Sequence, residues 1–446
     1  MNIARRIYCR AFQFCFRAAL PFLPYREPEI LADMEELAQV LKEKGKKSVL
    51  IVTDKGISVL GLTDGLKNAL RKADISYTVY DDTVQNPTID NVEQAREAYI
   101  ENHCEAVIGF GGGSSMDCAK AAAARIAKPK QPVQKMRGLL KIHKKLPTLV
   151  AVPTTAGTGS ETTLAAVITD SATHHKYPIN DFFLIPRYAV LDYRVTTGLP
   201  GQITATTGMD ALTHAVEAYI GGSTTKHTRK MAEEAVCLIR DNLKRAYDNG
   251  EDAQARENML RAAYCAGIAF TQSYVGYVHG VAHSLGGRYG IPHGLANAVI
   301  LPWFLEEYGE SCEKRLGRLA RNCEIAAPGA DDHEASRIFI KWVRGMNESM
   351  EIPEKLEGIR EEDIPQMAAH ADKESNPLYP VPRLMDAGEL ASMYGKIRVR
   401  ETASSAVGEN SGRKEAYPAV GETGGREITS SKAGERSGQT WKSAVS

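Results

Sequence analysis

From Ser48 onward, short runs of β-branched and apolar residues alternate with longer stretches of helical spacing, the pattern of βα units feeding a parallel sheet. SVLIVTD (48–54) and YTVYDD (77–82) read as strands, as do EAVIGF (105–110) and TLVAVP (148–153), and AVLDY, around Val190 to Tyr193, closes the set. Past about Val195 the texture changes. Windows such as ATTGMDALTHAVEAYI, TRKMAEEAVCLIRDNLKRAY and ARENMLRAAYCAGIAF carry apolar residues at helical spacing, and strand-like alternation largely disappears. The pattern predicts an α/β N-terminal domain with a parallel sheet over residues 31–195. An all-α C-terminal domain is predicted over 196–397, with a cleft between the two as the expected ligand site.

Both ends depart from this pattern. Residues 1–30, MNIARRIYCRAFQFCFRAALPFLPYREPEI, are basic and aromatic, but Arg10 and Arg17 interrupt the apolar stretch, so neither an export signal nor a membrane span is expected. An amphipathic segment of this kind packs on its own protein, the plainer role, or lies against a membrane surface. Residues 398–446, rich in Gly, Ser, Glu and Lys with almost no apolar periodicity, are expected to be a disordered tail.

The 446 residues are 43% hydrophobic and 25% charged, as in an ordinary globular protein. Net charge is zero, which leaves no electrostatic footprint for nucleic acid and makes a small molecule the expected partner. Eight scattered cysteines without a C-x-x-C pair fit a reducing, cytoplasmic setting.

Two sets of residues bear chemistry. GGGSSMD (111–117) follows a predicted strand and opens an alanine-rich helix, where glycines admit an anion and free helix N–H groups receive it. Ser114 and Asp117 within it stand as a capping-box-like pair that would fix the helix start. Asp54 ends the first predicted strand, where a carboxylate accepts from a ribose or merely turns the chain. TTAGTGSE (154–161) offers hydroxyls and glycines at another strand end.

The second set begins with Asp210 and His214, four apart on one predicted helix face and so aimed at one point. HGVAHSLGGRYGIPHG then holds His279, His283 and His293, three of only eleven histidines in the chain. Imidazoles with a carboxylate suit a borderline divalent ion, Fe(II) or Zn(II). Five candidates stand for a site needing three or four, and spacing does not choose among the three histidines. Phe270 and Tyr289 are expected to line an apolar slot nearby.

NPTIDN (86–91), GGGSSMDCAK (111–120), VPTTAGTGSE (152–161), TGMDALTHAVEAY (207–219) and HGVAHSLGGRYGIPHG (279–294) occur in the order that characterises one family. On these motifs the chain resembles the iron-containing (group III) alcohol dehydrogenases. The resemblance implies a Rossmann-like dinucleotide-binding domain joined to an all-α metal-binding domain in a dehydroquinate-synthase-like architecture. It implies that Asp210, His214, His279 and His293 bind the metal while His283 lines the nicotinamide and substrate pocket as the candidate catalytic residue for proton relay. It further implies dinucleotide contacts from Asp54, Asn86, Gly112, Gly113, Ser114, Asp117, Thr154, Thr155, Thr158 and Lys176, with the aspartate at 54 favouring NAD over NADP.

The expected reaction is hydride transfer between NAD(H) and a small primary alcohol, diol or aldehyde, assisted by metal. Similar proteins form dimers or larger assemblies, so a homo-oligomer is expected. Two rivals share the plan: a glycerol-dehydrogenase-like or dehydroquinate-synthase-like enzyme, and a non-catalytic protein that binds metal and nucleotide without turnover.

Overall fold

The computed structural model describes residues 1–171 and 175–399. The expected tail therefore lies outside the described residues, apart from Arg398 and Val399. Val399 donates its N–H to the Leu356 carbonyl at 2.9 Å.

The α/β half runs α1 (Ile3–Ala19), β1 (Glu29–Leu31), α2 (Met34–Glu43), β2 (Ser48–Val52), α3 (Lys55–Val59), α4 (Asp64–Lys72), β3 (Ser76–Tyr80), α5 (Ile89–Glu101), β4 (Ala106–Gly111) and α6 (Gly113–Ala127). It continues through β5 (Gly138–Leu139), β6 (Thr148–Pro153), β7 (Ala165–Asp170), β8 (His175–Asn180) and β9 (Tyr188–Val190). Helices follow: α7 (Gly201–Ile220), α8 (Lys226–Asp248), α9 (Ala253–Ser273), α10 (Tyr277–Tyr289), α11 (His293–Tyr308), α12 (Glu310–Asn322), α13 (Asp332–Ser349), α14 (Ile364–Ser375) and α15 (Ala387–Ile397).

Six strands form a parallel sheet in the order β1-β9-β6-β4-β2-β3. Alternate residues feed opposite faces: Val49 and Ile51 pack with Leu37 and Leu41 of α2 and Leu66 and Leu70 of α4. Leu50 and Val52 pack with Val92 of α5 and Ala119 of α6 on the other side. The strand order reverses between β2 and β4, because β3 lies outside β2 whereas β6 and β9 continue beyond β4. Open parallel sheets take ligands in the crevice at the carboxyl ends of such strands, and Asp54 and Gly111–Gly113 flank this one.

The first four expected strands appear within two residues of their expected ends, while the fifth shifts to Tyr188–Val190. Its remainder turns because the Asp192 carboxylate accepts the Arg194 N–H at 3.1 Å. Strand β1 and the small sheet β5-β8-β7 were not expected from the pattern. The former is three residues long, and β8 (HKYPIN) is polar and carries Pro178.

In the helical half, α7 is buried almost all round and packs against α8, α9 and α11. Among the described residues no helix is long and apolar enough to cross a membrane.

Candidate metal centre

Helix α7 carries Asp210, His214 and Glu217 at i, i+4 and i+7, one stripe along its length. Helix α10 brings His279 within its first turn, and α11 starts at His293. The start of α11 rests on the backbone of α7: a Cβ on Gly294 would stand 2.5 Å from the Thr206 carbonyl oxygen, so only glycine fits. One ligand atom from each of Asp210, His214, His279 and His293 falls within 4.8 Å of the others. His279 stacks on His214 with ring centroids 4.5 Å apart, and Phe270 covers the other face of His214 at 4.1 Å.

Protons and lone pairs do not balance in this cluster. The Asn297 amide nitrogen lies 2.6 Å from Asp210 Oδ1, 3.2 Å from His279 Nε2 and 3.1 Å from His293 Nε2. Two amide hydrogens cannot serve three acceptors. His214 Nδ1 is a further buried nitrogen that makes no well-formed hydrogen bond among the described residues. Burial holds the pKa values of His214 and His279 below the usual histidine range and brings His293 down to about 4, so all three rings are neutral near pH 7. A surplus of converging lone pairs on neutral imidazoles, beside one carboxylate, is what a divalent cation satisfies.

Glu217 sets the tautomer of His279. Its carboxylate accepts the N–H groups of Gly276 at 2.8 Å and Val278 at 2.9 Å, and His279 Nδ1–H at 2.6 Å. The Nε2 lone pair is thereby left facing the cluster. Burial raises the Glu217 carboxyl to about 7, opposed by the backbone N–H groups of Gly276, Val278 and His279.

His283 stands at the rim. It is exposed, its ring stacks on His293 at 5.2 Å, and its Nδ1 lies 2.6 Å from Glu374 Oε1. Glu374 also accepts the Tyr379 hydroxyl at 2.8 Å. Of the two aromatics expected nearby, Phe270 touches the cluster but Tyr289 does not line it: its hydroxyl donates to Asp363 Oδ2 at 2.7 Å, at the far end of α10.

On the sheet side, the expected residues gather around the crevice. Asn86, held at φ 59°, accepts from Lys176 Nζ at 2.6 Å, and its N–H donates to Ser114 Oγ at 3.3 Å. Gly112 and Gly113 face Thr155 and Thr158 across the gap, and the Thr155 hydroxyl is buried without a hydrogen-bond partner among the described residues. Thr154 donates its N–H to the Gly111 carbonyl at 3.1 Å. Asp54 accepts the Ile57 N–H at 3.0 Å, capping α3, and the Ser115 hydroxyl at 3.3 Å. The capping box expected from Ser114 and Asp117 does not form. The N-cap is Gly112, two residues before Ser114, and it offers no side-chain capping bond to α6. Asp117 points inward instead, accepting the Ser160 hydroxyl at 2.8 Å and the Val167 N–H at 3.0 Å. The first N–H groups of α6 are thus left open to an anion.

Four residues escaped the sequence reading: Glu217, Asn297, Glu374 and Lys120. Glu217 extends the Asp210–His214 stripe by one more turn and Asn297 stands one turn after His293, so helical spacing could have found both. Lys120 is buried and bonds Ser160 Oγ, Thr163 Oγ1 and the Thr163 and Ala165 carbonyls at 2.8–3.1 Å, pinning α6 to the threonine loop. No local pattern marks Glu374, which lies 91 residues from His283.

A parallel sheet whose carboxyl edge offers an open helix N-terminus, set with a helical half that holds an Asp-and-three-His cluster, is the plan of a metal-dependent dehydrogenase. Residues 32–193 match the family described as iron-containing alcohol dehydrogenase, and residues 204–397 match the C-terminal part of that family. Over 355 residues the chain is 38% identical to alcohol dehydrogenase 4 of Schizosaccharomyces pombe, spanning 78% of this chain and 82% of that one. It is 34% identical to the NAD-dependent methanol dehydrogenase of Bacillus methanolicus over 340 residues, spanning 76% of this chain and 89% of the other. The crystal structure of a 1,3-propanediol oxidoreductase superposes with a TM-score of 0.80 at 33% identity, covering 84% of this chain and 99% of that one. The chain belongs to the iron-containing alcohol dehydrogenase family, and it is an oxidoreductase acting on the alcohol or aldehyde group.

Proposed function

We propose that this chain moves a hydride between NAD(H) and a small primary alcohol, diol or aldehyde, with Asp210, His214, His279 and His293 holding the metal. The observation that carries this reading is the surplus of lone pairs among those four residues, which one amide cannot satisfy. In this reading residues 31–195 bind the dinucleotide and residues 196–397 hold the metal. Phosphates sit on Gly112, Gly113 and Ser114 at the start of α6, with Thr154, Thr155 and Thr158 across the gap. Asn86 and Lys176 close one side, Asp54 takes the adenosine ribose, and Asp117 braces the threonine loop. The chain works as a homo-oligomer in the cytoplasm.

Iron(II), or zinc(II) in its place, supplies a Lewis acid that lowers the pKa of the alcohol hydroxyl. NAD supplies the hydride acceptor. The protein does the rest. Glu217 keeps a proton on His279 Nδ1 so that Nε2 faces the cluster, and Phe270 shields His214 from water. Glu374 orients His283, whose Nε2 is the atom placed to pass the substrate proton toward solvent.

Names of relatives support the substrate class: one is an alcohol dehydrogenase, one an NAD-dependent methanol dehydrogenase and one a 1,3-propanediol oxidoreductase. The test is elemental analysis of anaerobically purified protein together with NADH absorbance across a panel of alcohols, diols and aldehydes. Divalent metal near one equivalent per chain and turnover that a chelator abolishes are expected. Turnover indifferent to metal, or bound NAD and metal without turnover, would overturn the reading.

A further inference from the structure

Helix α1 and the 3-10 turn after it, Leu20–Phe22, precede the first residue matched by the family, residue 32. One side of α1 is firmly seated on the helical half. Cys9 and Gln13 are buried, Arg5 bonds both Asp372 oxygens at 2.7 and 2.8 Å, and Gln13 Nε2 donates to the Tyr379 carbonyl at 2.7 Å. Arg10 donates to the Val381 and Pro382 carbonyls at 2.8 Å, and Phe16 meets Tyr274 edge-on at 4.9 Å.

The opposite side is covered by nothing among the described residues. At about 100° per residue, Ile3, Ile7, Ala11, Phe14 and Ala18 fall on one stripe, and Phe22 extends it. Ile3, Ile7, Phe14 and Phe22 are 77%, 65%, 72% and 87% exposed. With Tyr8 and Phe12 they make six of the fourteen large hydrophobic side chains exposed among the described residues, concentrated in 22 positions. An apolar patch of this kind marks an interaction surface.

Charge identifies the occupant. Residues 1–26 hold five arginines and no acid, although the whole chain is neutral with 55 basic and 55 acidic residues. Arg6 and Arg17 are exposed, and neither guanidinium makes an ion pair or hydrogen bond among the described residues. Burial lowers the Arg315 pKa and the charges of Arg17, Arg229 and Arg10 lower it further, so positive charge gathers where α1 meets the helical half. A second copy meeting this face by two-fold symmetry would bring two such helices together with no acid on either to answer the arginines. An anionic lipid surface answers both the apolar stripe and the basic rim.

We propose that α1 is an interfacial anchor for anionic phospholipid, with Ile3, Ile7, Phe14 and Phe22 entering the headgroup boundary and Arg6 and Arg17 resting on phosphates. The helix is already folded and docked, so binding orders no new backbone. It lies along the surface rather than across it.

Flotation of the full-length enzyme with phosphatidylcholine vesicles, with and without phosphatidylglycerol, tests the anchor. Binding only to vesicles containing phosphatidylglycerol, reversed by high salt, is expected. The double variant Ile7→Asp/Phe14→Asp should lose binding. Arg6→Glu/Arg17→Glu should lower the partition coefficient at least about tenfold. Both should keep wild-type kcat with a soluble alcohol, which shows that they fold. Failure to float with phosphatidylglycerol vesicles at low salt, or flotation indifferent to both double variants, overturns the proposal. So does a dimer in light scattering that Ile7→Asp/Phe14→Asp disperses in a protein that ignores vesicles, since the stripe would then join two copies.

Discussion

Glu217 Oε2 lies 2.6 Å from His279 Nδ1, and the same buried carboxylate ties down the Gly276 and Val278 N–H groups at the start of α10. Orientation of the His279 imidazole and the start of its helix therefore depend on one side chain. Glu217→Gln has a single acceptor oxygen for three donors and turns an NH2 toward them. Carboxylates behind ligand histidines typically contribute 10–100-fold to metal affinity, so a loss of about that size is expected in competition with a chromogenic chelator. The apo variant should also be less stable by about 1–3 kcal/mol, because buried N–H groups lose their acceptor. Wild-type metal affinity in Glu217→Gln would refute the role.

Asp210 and His214 were visible in the sequence because helical periodicity alone places residues four apart side by side. The cluster of His279, His283 and His293 was visible as composition, but its division into inner and rim residues was not. That division depends on where α10 and α11 lie, which Gly294 against Thr206 decides through a close backbone approach. The glycine loop was legible as strand, turn and helix, yet the role of Asp117 was misread. Its distance from Ser114 suggested a cap, whereas the threonine loop, 43 positions on, claims the carboxylate through Ser160. The core strands were legible for the opposite reason: covered on both faces, they read as unbroken apolar runs, which the edge strand β1 cannot do in three residues.

Asp54 combines two roles that a substitution can separate. One oxygen caps α3 through Ile57 while the other takes the Ser115 hydroxyl, and in the proposed reading the negative charge would meet the 2′-phosphate of NADP. Serine preserves capping ability and removes the charge. Asp54→Ser should raise the ratio of kcat/KM for NADP to that for NAD by about tenfold or more, with a stability loss below about 1 kcal/mol. An unchanged ratio in steady-state kinetics would show that position 54 does not select the cofactor.

The threonine loop reaches the helical half through a contact between two glycines. Gly159, at φ +61°, has its would-be Cβ 2.8 Å from Gly267 Cα on α9, and a Cβ on Gly267 would overlap Thr162 Oγ1 and stand 3.0 Å from the Gly159 carbonyl. Backbone of the partner glycine on each side, with the short Thr162 side chain held to the Gly159 carbonyl at 2.9 Å, leaves no long flexible end to yield. Gly267→Ala should cost about 1–3 kcal/mol by overpacking. It should raise the KM for NAD by displacing Thr154 to Thr158, with metal content unchanged. Thermal melts, cofactor titration and metal analysis on one preparation separate these effects; an unaltered melting temperature would show that the contact is loose.

Glu161 gives the fold a pH dependence of predictable sign. Burial raises its carboxyl to about 7 from an ordinary 4.5, and Oε1 has no hydrogen-bond partner among the described residues. Below pH 4.5 folded and unfolded chains both hold the proton; between 4.5 and 7 only the folded chain does, so rising pH favours unfolding across that window and no further above it. Lys120, lowered to about 8 by burial, titrates outside this window. Glu161→Gln cannot ionise. The variant should therefore gain stability over the wild type as pH rises from 5 to 7, by at most about 3 kcal/mol, and hold a constant advantage above that. Denaturant melts of both proteins at matched pH values measure the difference, and one that stays flat from pH 5 to 8 would mean that Glu161 is already ionised in the folded state.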